Sequence, residues 1–189
     1  DQRNFEEETM NRKKIDVYDN LTGIVKELKE GVLLTAKADD QVNSMTISWG
    51  MLGIEWGRPV FVTFLREHRF TKELIDKNGE FTVNIPYGQD AKDILNFCGT
   101  KSGRDVDKFQ ELGLTTVEAE KISVPAIREL PLTLECKVVY KQEQDPDQIS
   151  EKRKKIFYPA DVDGSFHGAN RDYHTAYYGQ ILSAYILED

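Results

Sequence analysis

The chain has 189 residues, a formal charge of −8 and a pI near 5.0, with 39% hydrophobic and 10% aromatic residues. That is enough apolar material for the core of one ordinary domain, so global disorder is excluded. The acidic balance argues against a sequence-independent nucleic-acid binder, which needs a basic face against phosphates. No stretch approaches the roughly 20 apolar residues that cross a bilayer, and the polar opening DQRNFEEETMNRKK has no signal-peptide h-region.

Residues 1–14 read as a loose arm before one domain over 15–189. A helical or extended entry, VYDNLTGIVKELKEG, leads into the strand signals GVLLTAKA, MTISW, PVFVTFL, EFTVNI, PLTLECKVVY and YYGQILSAYIL. These runs are rich in β-branched and aromatic residues, and most are bounded by Gly, Pro, Asn or Asp. Between them lie three short helical segments: FTKELIDKNG with Thr71 as cap and Gly79 as stop, DAKDILNFCG with Asp90 and Gly99 in those roles, and SGRDVDKFQELG ending at Gly113. The charged segment 141–155 reads as a solvated excursion between two strands. Strands dominate and regular βαβ alternation is missing, which predicts a mainly β, antiparallel barrel with short peripheral helices.

Two cysteines make neither a disulfide framework nor a zinc site, and a cytoplasmic location is the default expectation. Cys136 sits on the apolar side of an alternating strand and reads as core. His68 and His167 lack metal-ligand spacing. Hydrolase and Rossmann fingerprints are absent.

Four places can carry chemistry. In NSMTISWG, alternation puts Ser44, Thr46 and Ser48 on one face, which suits a polar ligand or simply solvent. Around LREHRFTKEL, Arg58, Arg66, Arg69 and Lys72 face a single acid, Glu67, beside a helix start. Free N–H groups, the dipole and two guanidinium groups there form a phosphate cradle, or a basic surface turn paired to carboxylates. NFCGTKSGRDVDKF gathers Cys98, Lys101, Ser102 and Arg104 around two glycines, and Cys98 could act as a nucleophile only with a His base beside it. Tyr173, His174, Tyr177 and Tyr178 precede the last strand and can wall a planar ligand.

Taken in order, N-S-M-T-I-S-W-G, R-E-H-R-F-T-K-E-L-I, F-T-V-N-I-P and C-G-T-K-S-G-R-D-V-D-K-F resemble the flavin reductase family, most closely its flavoredoxin-like branch. The likeness runs over about residues 20–135 and the final H-T-A-Y-Y-G-Q-I strand; residues 141–170 match poorly. It implies a Greek-key split β-barrel that binds FMN as a homodimer, and electron transfer from NAD(P)H or through a redox partner protein. It also implies that Asn43, Ser44, Met45, Thr46, Ser48 and Trp49 line the flavin, and that Arg66, Arg69, Phe70 and Thr71 hold its phosphate and ribityl chain. Asn84, Lys101, Ser102, Arg104, His174 and Tyr178 would approach the cofactor from neighbouring segments. Three functions follow as expectations: an NAD(P)H-linked oxidoreductase passing electrons to a flavin or other acceptor, an FMN carrier without nicotinamide activity, and a non-redox ligand binder on the same barrel.

Overall fold

The computed structural model describes residues 10–162 and 172–189. Residues 1–9 of the expected arm, and His167, lie outside the described residues. Ten strands are present among them: β1 (Asn11–Lys14), β2 (Val32–Ala38), β3 (Gln41–Ile47), β4 (Gly50–Glu55), β5 (Arg58–Arg66), β6 (Glu80–Ile85), β7 (Thr116–Val117), β8 (Ala126–Ile127), β9 (Leu132–Glu143) and β10 (His174–Glu188). Five α-helices accompany them: α1 (Leu21–Glu30), α2 (Phe70–Asn78), α3 (Lys92–Thr100), α4 (Lys108–Leu112) and α5 (Glu151–Phe157).

The main sheet runs β3-β2-β6-β9-β10-β5-β4 with every pairing antiparallel, and β7 pairs with β8 separately. The expected antiparallel, β-rich architecture with short helices is what forms. Strand β10 does the joining. His174–Gln180 pair with β5, and Tyr185–Glu188 pair with β1, while the other edge follows β9. Asn11–Lys14, read as part of a loose arm, therefore form a strand, because the far end of β10 offers backbone groups that β5 does not reach.

The core fills the space between the sheet faces and α1 and α2. Val32–Ala36 are all buried, and Ile24 and Leu28 of α1, Leu74 and Ile75 of α2, Phe61, Leu65, Phe81, Val83, Leu134 and Tyr177 pack in the same cluster. Cys136 is core, as expected. At Gly179 the register between β9 and β10 shifts, and an added Cβ would stand 2.4 Å from the Phe81 ring, so only glycine lets the ring in.

Several boundaries differ from the sequence expectation. Helix α2 starts at Phe70 with Arg69 as its cap, so Thr71 lies inside the first turn instead of capping it. Helix α3 is capped at Ala91, although the Asp90 carboxylate still accepts from the Lys92 N–H at 3.2 Å, and it runs through Gly99 to Thr100. Gly79 and Gly113 do end α2 and α4 in the left-handed conformation. The segment 141–155 is more ordered than a solvated excursion. Lys141–Glu143 extend β9 against Thr175–Tyr177, and Glu151 opens α5, capped by Ser150 with Lys154 and Lys155 in its last turn. Strand β4 was missed because its glycines and exposed apolar residues break the alternation; it is an edge strand paired only to β5.

Candidate functional site

The cavity arises where β3, the β5–α2 junction and the α3–α4 loop meet. It has a volume of about 420 Å³ and is lined by Asn43, Met45 and Thr46 of β3, by Arg66, His68, Arg69, Phe70 and Thr71, and by 98–103, Asp105, Lys108 and Asp172. That volume lies within the usual range for small-molecule sites. Four cations, Arg66, Arg69, Lys101 and Lys108, face two acids, Asp105 and Asp172. The local balance is therefore positive in a chain of net charge −8.

Sequence order explains the placement. β5 ends in Arg66, and the turn 67–69 delivers Arg69 to the head of α2, where the first-turn N–H groups and the dipole favour an anion. Thr71, freed from capping, receives a hydrogen bond from the Asn43 amide at 2.9 Å. Burial lowers both guanidinium pKa values. For Arg66 the Tyr158 phenol offsets part of the effect and Arg69 adds to it, whereas Asp172 opposes it at Arg69. Arg66 donates to the Asp172 carbonyl at 2.6 Å and to the Phe157 carbonyl at 3.5 Å, with its guanidinium 5.1 Å from the Tyr158 ring. It thus anchors the segment that leads into β10 as well as lining the cavity.

A recess of about 160 Å³ opens beside the cavity, sharing Met45, Thr46, Arg66 and Arg69 with it and adding Ile47, Ser48, Trp49, Phe64 and His174. The Trp49 and His174 rings lie 5.4 Å apart, and Phe157 meets Trp49 edge-on at 5.5 Å. Past Trp49 an apolar groove of about 520 Å³ continues along Val25, Leu28, Met51 and Phe64.

Of the residues that the resemblance puts at the cofactor, Asn43, Met45, Thr46, Arg66, Arg69, Phe70, Thr71, Lys101 and Ser102 meet at the cavity, and Ser48, Trp49 and His174 at the recess. Four do not. Ser44 turns inward and shares a buried hydroxyl network with Thr35 and Asn84, at 2.6 Å for each bond, so Asn84 is interior too. Arg104 turns away to pair with Glu73 at 3.1 Å and stack over Phe70. Tyr178 lies four residues along β10 from His174 and packs against Tyr140 at 5.1 Å. The hydroxyls of Ser44, Thr46 and Ser48 therefore form no common ligand face, since Thr46 also donates to the Leu95 carbonyl at 2.6 Å.

Lys108 was missed. It is buried, donating to the Ser44 carbonyl at 2.7 Å and to the Cys98 carbonyl at 3.1 Å beside the cavity. Burial pulls its ammonium down to about 8, with Cys98 opposing and Arg69 adding to the shift. Only its position in the apolar rhythm of DKFQEL marked it in the sequence. Cys98 is buried, and burial raises its thiol to about 11, which disfavours the thiolate a nucleophile needs. Among the described residues no group of three His, Cys, Asp or Glu is placed to hold a metal, and no helix is long and apolar enough to cross a membrane.

The loop 101–105 comes down tightly. A Cβ at Gly103 would lie 2.3 Å from the Asn43 Oδ1 and 2.9 Å from the Phe70 ring, so glycine is required for this approach.

Comparison with known proteins places this geometry in a family. An uncharacterised protein of Archaeoglobus fulgidus is 35% identical over 100 residues, which is 53% of this chain and 55% of that protein. The chain spans less than two thirds of the length of the curated relatives it matches. Among solved structures, flavoredoxin from Methanosarcina acetivorans aligns with a TM-score of 0.62 at 25% identity, covering 82% of this chain and 67% of that one. Flavoredoxin of Desulfovibrio vulgaris (Miyazaki F) aligns with a TM-score of 0.61 at 20% identity, covering 98% and 76%. The model of the flavin reductase like domain matches residues 29–189, and the chain belongs to that family.

Proposed function

We propose that this chain binds FMN in the cavity and passes electrons from NAD(P)H through it to a flavin or other acceptor. The observation that carries the reading is a cation-lined cavity at the head of α2 that opens into an aromatic recess at Trp49 and His174. The donor set fits the group. Arg69, the Thr71 hydroxyl, the first N–H groups of α2, Lys101 and Ser102 suit a phosphate dianion, and glycine at 103 lets the loop that carries Lys101 and Ser102 pack directly on Asn43 and Phe70. Met45, Trp49 and Phe64 suit a planar heteroaromatic ring. FMN, when bound, supplies a two-electron acceptor that also releases electrons singly. The chain's part is to hold it, orient it and keep water from it.

A second reading is an FMN carrier that docks to a redox partner. It draws on the likeness to the two flavoredoxins and on the exposed aromatics Trp49, which lines the recess, and Phe157, packed on it. A homodimer belongs to the same proposal. Met51, Ile54 and Trp56 on or beside edge strand β4 are 61, 69 and 66% exposed, an open apolar edge that a second copy of the chain would cover.

Anaerobic addition of NADH or NADPH to the FMN-loaded protein tests the function. Bleaching of the flavin absorption within seconds is expected. Bleaching only with dithionite or a partner reductase supports the carrier, and failure of FMN to bind overturns the flavin reading.

A further inference from the structure

The surroundings of His174 fix a property of the recess that the flavin reading does not contain, and only its choice of ligand rests on that reading. The His174 Nδ1 lies 2.7 Å from the Tyr158 hydroxyl, which lies 3.0 Å from the Gln144 Oε1. That same Oε1 accepts the backbone N–H of His174 at 2.9 Å, and the Gln144 N–H donates to the His174 carbonyl at 3.0 Å.

The proton count then has one solution. Oε1 faces a backbone N–H, so it is the carbonyl end of the amide and only accepts. Tyr158 has a single hydroxyl proton. Sent to Nδ1, it would leave two oxygen atoms facing each other at 3.0 Å with no proton between them. Sent to Oε1, it leaves the phenol oxygen free to accept, and the His174 Nδ1–H donates to it. A neutral imidazole protonated at Nδ1 carries its lone pair on Nε2. The charges agree. Burial first, then Arg66 and Arg69, lower the imidazolium to about 4, which keeps the ring neutral at pH 7. Among the described residues no group donates to Nε2, and the ring lines the recess beside Trp49.

We propose that Gln144 and Tyr158 are positioning residues that lock His174 in the neutral Nδ1–H tautomer, so that Nε2 accepts a hydrogen bond from an amide or imide N–H of a planar heteroaromatic ligand. The oxidised isoalloxazine carries one such imide, and nicotinamide carries a carboxamide. A carbonyl oxygen presented to Nε2 would meet a lone pair instead of a proton, so the arrangement selects which edge of a ring faces His174. Both positioning residues come from the segment after Lys141, where the sequence offered no motif.

The test is a long-range ¹H–¹⁵N spectrum of the histidine side chains in the full chain, first without ligand. The expected result is a protonated Nδ1 and an unprotonated Nε2 for His174. Tyr158→Phe removes the acceptor and Gln144→Met frees the phenol proton for Nδ1, so each should shift the ring toward the Nε2–H tautomer. An Nε2–H ring in the wild type, or an unchanged tautomer in whichever variants fold, overturns the proposal. FMN is then added alone, and oxidised nicotinamide dinucleotide is added to the FMN-loaded protein. A shift of the Nε2 resonance with FMN assigns the imide, and one only with the dinucleotide assigns the carboxamide. No shift in either arm, with FMN binding shown by fluorescence quenching, overturns the acceptor role. Failure of FMN to bind would instead overturn the proposed function, while the ligand-free spectra still decide the tautomer.

Discussion

The Asn43 amide donates to the Thr71 hydroxyl at 2.9 Å, and this one bond joins strand β3 to the first turn of α2 across the floor of the cavity. Both side chains are buried, at 4 and 1% exposure, so water cannot replace either partner. Asn43→Ala is expected to loosen the α2 turn and weaken FMN binding roughly two- to tenfold, the range for one net hydrogen bond. Thr71→Val should do the same, and the double variant should cost less than the sum of the two. Fluorescence titration with FMN measures all three; strictly additive losses would show that the pair does not act as a unit.

Gly103 stands where any Cβ would strike Asn43 and Phe70. Gly103→Ala must therefore lift the 101–105 loop, carrying Lys101 and Ser102 away from the cavity. A loss of FMN affinity of about tenfold, on the order of one charge-assisted contact, is expected with little change in melting temperature. Gly23→Ala, in a helix with nothing within 4 Å of the new methyl, is the control and should leave FMN affinity unchanged. Equal affinity in Gly103→Ala and wild type would mean that the loop does not touch the ligand.

Lys108 gives the fold a pH dependence of unusual sign. Its ammonium titrates near 8 when folded and near 10.5 when unfolded, so between those values the unfolded chain binds the extra proton. The lysine's own contribution to stability then rises with pH through that window, by at most about 1.4 kcal/mol per pH unit. Tyr177 and Tyr185 have raised pKa values, chiefly through burial, and act the other way once an unfolded tyrosine ionises near 10. The buried thiols Cys98 and Cys136, raised by burial, also act the other way from about pH 8.5, where an unfolded thiol ionises, so only the difference from Lys108→Met, between roughly pH 7.5 and 9.5, isolates the lysine. Urea unfolding of the wild type should gain stability over that range relative to Lys108→Met. Parallel profiles would contradict the assignment.

The strands were legible where a run of β-branched and apolar residues is buried nearly throughout, as in Val32–Ala38 and Glu80–Ile85. They were not where a strand lies at an edge. Gly50–Glu55 exposes apolar residues, and Asn11–Lys14 has no apolar face at all, so pairing with β5 and β10, not local pattern, makes them strands. In the site, charge type and the helix start pointed to Arg69 and Thr71, and both line the cavity. Ser44 was misplaced. Its cross-strand partner Thr35 draws it inward, and Thr35 is itself held by donating to Asn84, forty residues beyond Ser44. Tyr158 and Gln144 were invisible because their roles depend on a ring thirty residues after Gln144, which only the β9–β10 pairing brings alongside.

The central claim is that the head of α2, with Arg69 and Thr71, holds a phosphate at the end of a planar ligand. Parallel equilibrium titrations of the ligand-free protein with FMN and with riboflavin, which lacks only the phosphate, test it most directly. Loss of one to two charge-assisted contacts predicts that riboflavin binds at least ten- to hundredfold more weakly, roughly 1.5–3 kcal/mol, and that Arg69→Ala narrows the gap by weakening FMN alone. Equal affinity for the two flavins, or a gap that Arg69→Ala leaves untouched, would contradict it.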